Sequence, residues 1–478
     1  MNNARRIMKN SFFQAVAFVA QGLTEFLVAL LLARLAGAQQ VGEFTILVTL
    51  AGLFAFISAF GFPSLLTREI ARQRDDREQT ARLVNAATGL VIILSTAAIL
   101  LMTLVGILSG YSTNLFRALM LTGAALAFES VARVVTAPFR GVEDLKRSSA
   151  VTAVMELSFL ILAVVVALLE VRIDWLMAAY LTSRIIALGV AIRFYRSRFG
   201  RLRPTADWKL WRTLLHMGLP FSINNVFSSA YSRVDVIILS FLAGHVAVGF
   251  YEVAYSLTMR MNIVARTLTF ALYPFLSFQF VKDVRSMRTY TARGMRYLII
   301  PGFLIATLLW VFGREFTSLL YGEKFAEATS SALKLLALII PLRFVETLLG
   351  VTLDASNRAG KRATAVAIAA VTNAALNFIL VPAYQMMGAV YATVITEVVI
   401  CGVFIWYLRD QAREIIEWRA FVGPGLGALI ILSISALFSQ ISTWWLITPS
   451  ILLYGLAIVV LDRSSIEPLL LIVTRKRP

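Results

Sequence analysis

The sequence predicts an all-α, polytopic membrane protein with about 14 transmembrane helices, arranged as two pseudo-symmetric six-helix bundles plus two C-terminal helices. Three observations lead there. Of 478 residues, 59% are hydrophobic and only 15% are charged, with mean hydropathy +0.78; soluble domains carry about 25% charged and about 45–50% apolar residues. Fourteen stretches are long and apolar enough to cross a bilayer core, which takes about 20 residues per helix. Finally, an octet, Leu-Ala-Gly-x-x-x-Val-Gly, occurs at Leu35–Gly42 and again at Leu242–Gly249, 207 residues later.

In chain order the stretches are 10–36, 41–66, 83–109, 115–139, 149–170, 174–195, 211–242, 246–280, 294–313, 330–352, 363–382, 387–408, 420–440 and 444–461. The segment Met1–Lys9 could open a signal peptide. Its apolar run, however, extends for about 27 residues against about 7–15 for such a peptide, so it reads as an uncleaved first span. Each octet joins the end of one stretch to the start of the next, and one octet period holds six stretches. An even number of crossings returns the chain to its starting side. The two copies therefore share an orientation, as in parallel transporter halves related by an axis along the membrane normal.

The longest polar interruption near the middle, 193–212, contains Gly200 and Pro204 and reads as the linker. It separates an N-terminal bundle, 1–200, from a C-terminal bundle, 208–410. A second repeat trace supports this division: Ala359–Val366 echoes Leu145–Val151, with the Lys-Arg pairs 215 residues apart. Residues 411–478 have no counterpart and read as appended helices 13 and 14 with a basic cytoplasmic tail.

The net charge of +18 is topological. With a cytoplasmic N-terminus, the inside segments 1–9, 67–82, 140–148, 193–212, 282–296, 358–362, 409–419 and 463–478 hold 33 of the 45 Lys and Arg residues. Outside loops and adjoining helix ends hold Arg34, Arg117, Arg172, Arg314 and Lys324. That asymmetry follows the positive-inside rule and puts both termini in the cytoplasm. It points to a membrane and argues against a nucleic-acid partner.

Few kinds of chemistry are open to this chain. Cys401 is the single cysteine, so no disulfide forms within the chain. His216 and His245 sit at opposite ends of one stretch, about 40 Å apart at a rise of about 1.5 Å per residue, which removes a Cys/His metal site and a histidine-based triad. Gly423, Gly425 and Gly427 lack the preceding strand of a dinucleotide site, and close helix packing explains them better. Ala359-Gly360-Lys361-Arg362 fails as a phosphate loop, since Ala355 replaces the leading Gly and Arg362 the Ser/Thr. The expectation is a transporter rather than an enzyme, with no cofactor and no metal centre.

Polar residues at membrane depth are costly and tend to face a bundle interior, a partner or a wet cavity. Gln14, Gln21 and Glu25 form one stripe on the first span. Asn225, Ser228, Ser232 and Asp235 form another on the seventh, with Arg233 alongside; Glu252, Tyr255, Met259, Asn262 and Arg266 form a third on the eighth, next to Arg260. These stripes read as walls of a hydrophilic lumen. Arg233, Arg260 and Arg266, with Asn225, Tyr255 and Asn262, are candidate substrate contacts, because guanidinium binds phosphate oxygens bidentately and stays charged at depth. Glu25, Asp235 and Glu252 are candidate coupling carboxylates. Glu129 with Arg133, and Arg343 with Glu346, read first as pairs that neutralise each other, and Asn373 with Asn377 as interhelical glue.

Several of these segments carry a family resemblance. Leu30–Gly37, Val41-Gly42-Glu43-Phe44, Phe60-Gly61-Phe62-Pro63 and Arg68–Arg72 resemble the start of bacterial polysaccharide-repeat-unit flippases. So does Arg233–Leu239, continuing through Val248–Tyr251 to Ala254-Tyr255. That family belongs to the multidrug/oligosaccharidyl-lipid/polysaccharide exporter superfamily. The resemblance covers most of residues 10–410. It implies two six-helix bundles around a central cavity and alternating access in the bacterial inner membrane. It further implies transfer of an undecaprenyl-diphosphate-linked oligosaccharide from the cytoplasmic to the periplasmic leaflet, for O-antigen or exopolysaccharide synthesis. Implied partners are the lipid-linked oligosaccharide, polysaccharide polymerase or assembly proteins, and a coupling cation, H+ or Na+. Rival readings within the superfamily are a lipid II flippase, whose first span is arginine-rich where this one has Glu25, and a cation-coupled drug antiporter, whose cavity is acidic.

Overall fold

The computed structural model describes residues 2–73, 76–169, 172–417, 419–438 and 443–461. Every regular element among them is helical: α1 (Asn2–Ala59), α2 (Phe62–Arg72), α3 (Arg77–Leu108), α4 (Thr113–Gly141), α5 (Leu145–Leu169), α6 (Ile173–Phe199), α7 (Trp208–Arg260), α8 (Ile263–Lys282), α9 (Val284–Tyr321), α10 (Glu323–Ala355), α11 (Ala359–Tyr384), α12 (Met386–Tyr407), α13 (Ala412–Ile415), α14 (Arg419–Leu437) and α15 (Thr443–Leu461). Eleven helical runs among the described residues are long and apolar enough to span a membrane. Two of them, Val16–Ala59 and Ser232–Lys282, each hold two of the stretches read from the sequence, and Trp445–Val460 adds a shorter apolar helix. This is a multi-pass, all-α membrane protein. The basic tail 463–478 lies outside the described residues.

The chain divides into two compact units, Met1–Gly249 and Phe250–Pro478. In the first unit the octets explain themselves. Their leading glycines break α1 and α7 in the same way, Gly37 at φ 80°, ψ −174° and Gly244 at φ 81°, ψ 176°. That backbone region is essentially closed to residues with a Cβ. The closing glycines bring the two turns into reciprocal contact. A Cβ on Gly42 would stand 1.8 Å from the His245 carbonyl oxygen, and one on Gly249 would stand 1.9 Å from the Ala38 carbonyl oxygen. Backbone meets backbone here, with no room for a methyl group.

Two stretches end differently from their hydropathy. The second stops at Ala59 instead of running to 66, because Phe60 (φ 43°) and Gly61 (φ 70°) turn the chain through the left-handed region. The following α2 is amphipathic: it buries Phe62, Leu65, Leu66 and Ile70 and leaves Arg68 and Arg72 on its polar side. The stretch 246–280 is interrupted at Met261–Asn262, where the ladder tightens to i→i−3 bonds (Met261 N–H to Thr258 O, Asn262 N–H to Met259 O). Tightening of this kind inside a helix often marks a hinge.

The linker is fixed rather than loose. Backbone N–H groups of Arg203 and Thr205 donate to the Asn85 side-chain and main-chain oxygens, and Trp211 Nε1 donates to Ala86 O at 2.9 Å. The Leu210 N–H, helped by Arg82, holds the Asp207 carboxyl below its ordinary range.

In the second unit, the segment after α12 is stapled by acids that find arginines elsewhere: Asp410 with Arg358 at 2.6 Å, Glu414 with Arg288 at 2.8 Å, and Glu417 with Arg296. Tyr454 Oη on α15 donates to Ile300 O on α9 at 2.7 Å, and its ring fills the space over Gly427. Close packing therefore accounts for that member of the glycine run. The Arg358 hydrogen bonds hold the Asp410 carboxyl well below its ordinary range. A depressed folded value means that the staple's contribution is present above the unfolded carboxylate's value and is lost as pH falls through the folded one. Asp410→Asn at neutral pH is expected to mimic the acid state. Trypsin cleavage at the exposed Arg409 and Arg413 should become faster, and an unchanged cleavage rate would refute the staple.

Candidate functional site

Most of the candidate residues fall on α1, α7 and α8, and each is described within its own unit. In the first unit Glu25 lies exposed on α1 and accepts from Gln21 Nε2 at 3.1 Å. Asn225 is exposed on α7, Arg233 is half-buried, and Asp235 is buried with its Oδ1 taking the Val236 N–H at 2.8 Å. The Ser228 side chain lies outside the described residues. In the second unit Tyr255 is buried and stacked on Tyr251, with ring centroids 5.4 Å apart. Glu252 and Arg260 are half-buried, and Arg266 is exposed.

The interruption at Met261–Asn262 corrects the stripe read across the eighth span. Glu252, Tyr255 and Met259 share α7, whereas Arg266 belongs to α8 and Asn262 caps it. The two arginines therefore bracket a helix break instead of continuing one face. Neighbouring α10 closes on this break. Thr347 Oγ1 donates to Asn262 Oδ1 at 3.3 Å, Arg343 Nη2 reaches Met259 Sδ at 3.1 Å, and Glu346 lies within electrostatic reach of Arg266. On α11, Asn377 Nδ2 donates to Asn373 Oδ1 at 3.1 Å, and Asn373 Nδ2 to Thr396 Oγ1 of α12 at 3.3 Å.

Buried charges also form a cluster in each unit. In the first, Glu129 takes two hydrogen bonds from Arg133 on the same helix, at 2.9 and 2.5 Å, as the one-turn spacing suggests. It also takes a third from Arg184 of α6 at 3.4 Å. Arg184 lies over the Tyr180 ring at 3.6 Å and donates to Ser183 Oγ at 2.7 Å. Glu156 of α5 stands 3.9 Å from its Nη2. In the second cluster Arg343 of α10 pairs with Glu397 of α12 at 2.6 Å, and Glu346, one turn along α10, lies within electrostatic reach of both.

Glu156, Arg184 and Glu397 escape a stripe-based reading because each is the only charge near the middle of its span. The repeat holds the missing signal. Arg343 and Glu397 stand 214 and 213 residues after Glu129 and Arg184, so the same pair recurs with its polarity inverted.

Comparison with known proteins fits this geometry. Residues 7–279 match the family described as polysaccharide biosynthesis protein. The chain belongs to that family. Residues 220–379 also match the MatE family. A protein named "probable low-salt glycan biosynthesis flippase" from Haloferax volcanii is 21% identical over 81% of this chain and 80% of its own. A capsular polysaccharide biosynthesis protein from Staphylococcus aureus is 21% identical over 84% of this chain and 100% of its own. Among solved structures, a lipid II flippase in an inward-closed conformation superposes with a TM-score of 0.79 at 14% identity, covering 96% of this chain and 99% of that one. The family, its flippase relatives and the fold together make this member a membrane flippase or transporter.

Proposed function

We propose that this protein flips undecaprenyl-diphosphate-linked oligosaccharide repeat units from the cytoplasmic to the periplasmic leaflet, by alternating access, in a bacterial inner membrane with both termini cytoplasmic. The observation that carries this reading is the pair Arg260 and Arg266 on either side of an interrupted helix, in a family of polysaccharide biosynthesis proteins. Broken helices at membrane depth are used by transporters to meet polar cargo. The N-terminal end of α8 adds a partial positive charge to the two guanidinium groups, and a diphosphate suits that combination. The sugars travel with the diphosphate through a wet route while the polyprenyl tail stays in lipid.

In this reading the repeats 1–200 and 208–410 are the moving halves. Arg233, Asn225, Tyr255 and Asn262 add contacts to the cargo, and Glu25, Asp235 and Glu252 serve a coupling cation, H+ or Na+. Polymerase or assembly proteins take the product onward.

Deleting the gene and profiling polyprenyl-diphosphate lipids by mass spectrometry in sidedness-controlled vesicles tests the cargo. The expected result is an oligosaccharide-linked lipid trapped on the cytoplasmic face and released by complementation. Accumulated lipid II, or a normal lipid profile with altered resistance to cationic drugs, would overturn it. Arg260→Ala and Arg266→Ala are each expected to abolish translocation while the protein stays in the membrane. Wild-type transport by both at matched protein levels would remove the cationic site.

A further inference from the structure

We propose that Glu156 is a proton-binding site, and that Arg184 reports its state by shifting between two carboxylates. Glu156 is buried, with a side chain 5% exposed, and its nearest described cation is Arg184 Nη2 at 3.9 Å, beyond hydrogen-bond distance. Its main-chain carbonyl, by contrast, is engaged by the Thr24 hydroxyl of α1 at 3.3 Å. A buried carboxylate without a close partner is costly to keep ionised, and this one shares its nearest described cation with a second carboxylate. Glu129 draws on the same guanidinium at 3.4 Å while also holding Arg133 in two hydrogen bonds.

The charged and titratable groups around Glu156 come from every neighbouring helix: Glu25 on α1, Glu129 and Arg133 on α4, and Arg184 and Tyr180 on α6. Three glutamates thus gather around two arginines, so the cluster holds more acid than base. Ionised, Glu156 shares Arg184 with Glu129. When a proton from water settles on a Glu156 oxygen, its pull on Arg184 vanishes and the guanidinium moves onto Glu129. The ring of Tyr180 under Arg184 allows that slide without desolvating the cation further.

The repeat shows that Glu156 is not needed for the buried ion pair itself. The second unit closes the charge-inverted pair Arg343–Glu397 at 2.6 Å, and Ala370 stands where Glu156 would recur, 214 residues on. A carboxylate at this position of the repeat is therefore an addition made in the first unit, since Ala370 carries no charge.

The test needs no cargo in its first arm. Full-length protein in liposomes is titrated by infrared difference spectroscopy. The expected result is a protonated-carboxyl C=O band that rises and falls with pH in the wild type, is lost in Glu156→Gln, and persists in Glu78→Gln at the exposed start of α3. A band that survives in Glu156→Gln, or no titrating band in the wild type, would overturn the site. Should Glu156→Gln fail to fold, Arg184→Lys is expected to move the band's midpoint, and an unmoved midpoint is equally fatal.

The second arm rests on the transport reading. An imposed pH gradient is expected to accelerate translocation by the wild type and to leave Glu156→Gln unaffected. Gradient-stimulated transport by that variant would refute the coupling role. Because the titration is independent of any cargo, it separates an error about Glu156 from an error about the substrate.

Discussion

Gly42→Val is expected to abolish transport and to lower the protein's thermal unfolding temperature more than any exposed substitution in α1. The new side chain would start 1.8 Å from the His245 carbonyl oxygen, and the obstacle is main chain, which cannot rotate away. Overpacking a close contact costs about 1–3 kcal/mol when neighbours can adjust, and more when they cannot. Gly249→Val should act equally, since its Cβ would meet the Ala38 carbonyl oxygen at 1.9 Å. Gly52→Ala in the same α1 provides the control: a Cβ there has nothing within 4 Å, and alanine favours a helix interior over glycine by about 1 kcal/mol. The check is detergent-solubilised melting alongside vesicle transport. A Gly42→Val protein that melts and transports like the wild type would show that the octets do not need their close approach.

Arg343→Met is expected to destabilise the second unit by about 3–5 kcal/mol, the usual cost of leaving one member of a buried pair alone. Glu397 keeps only 2% of its side-chain surface exposed, so water cannot take over the role of the guanidinium. Replacing both partners, Arg343→Met with Glu397→Leu, should recover most of the loss, because apolar residues of similar volume often replace buried pairs at little cost. Denaturant unfolding of the wild type, both single variants and the double variant gives the coupling energy directly. If the two single losses simply add in the double variant, the pair is not the unit of stabilisation.

The fold was largely legible before any coordinates. Hydropathy located the membrane-length helices, eleven runs and one shorter helix among the described residues, and the octets marked two turns whose leading glycines prove to share one backbone conformation. The break after Arg260 was not legible. Arg260-Met261-Asn262-Ile263 contains no Gly or Pro to announce it, and a periodicity reading therefore runs straight through. The candidate site was legible only where charges come in helical stripes. Glu129 and Arg133 were found by their one-turn spacing, whereas nothing in the spacing of Arg343 and Glu346 shows that Arg343 also reaches across to Glu397 of α12. Partners on different helices leave no trace in a single helix's spacing. Here only the inverted recurrence of Glu129–Arg184 could have revealed them.

Those two inverted pairs also bear on how the protein is made. Glu129 and Arg184 are 55 residues apart, and Arg343 and Glu397 are 54 apart, each pair within its own unit. Each half can therefore neutralise its most deeply buried charges as soon as its own last helices leave the ribosome. The translocon need not hold a naked arginine in lipid while it waits for the other half. Since one half offers its acid first and the other its arginine first, a helix waiting in the first half carries the charge opposite to its counterpart in the second.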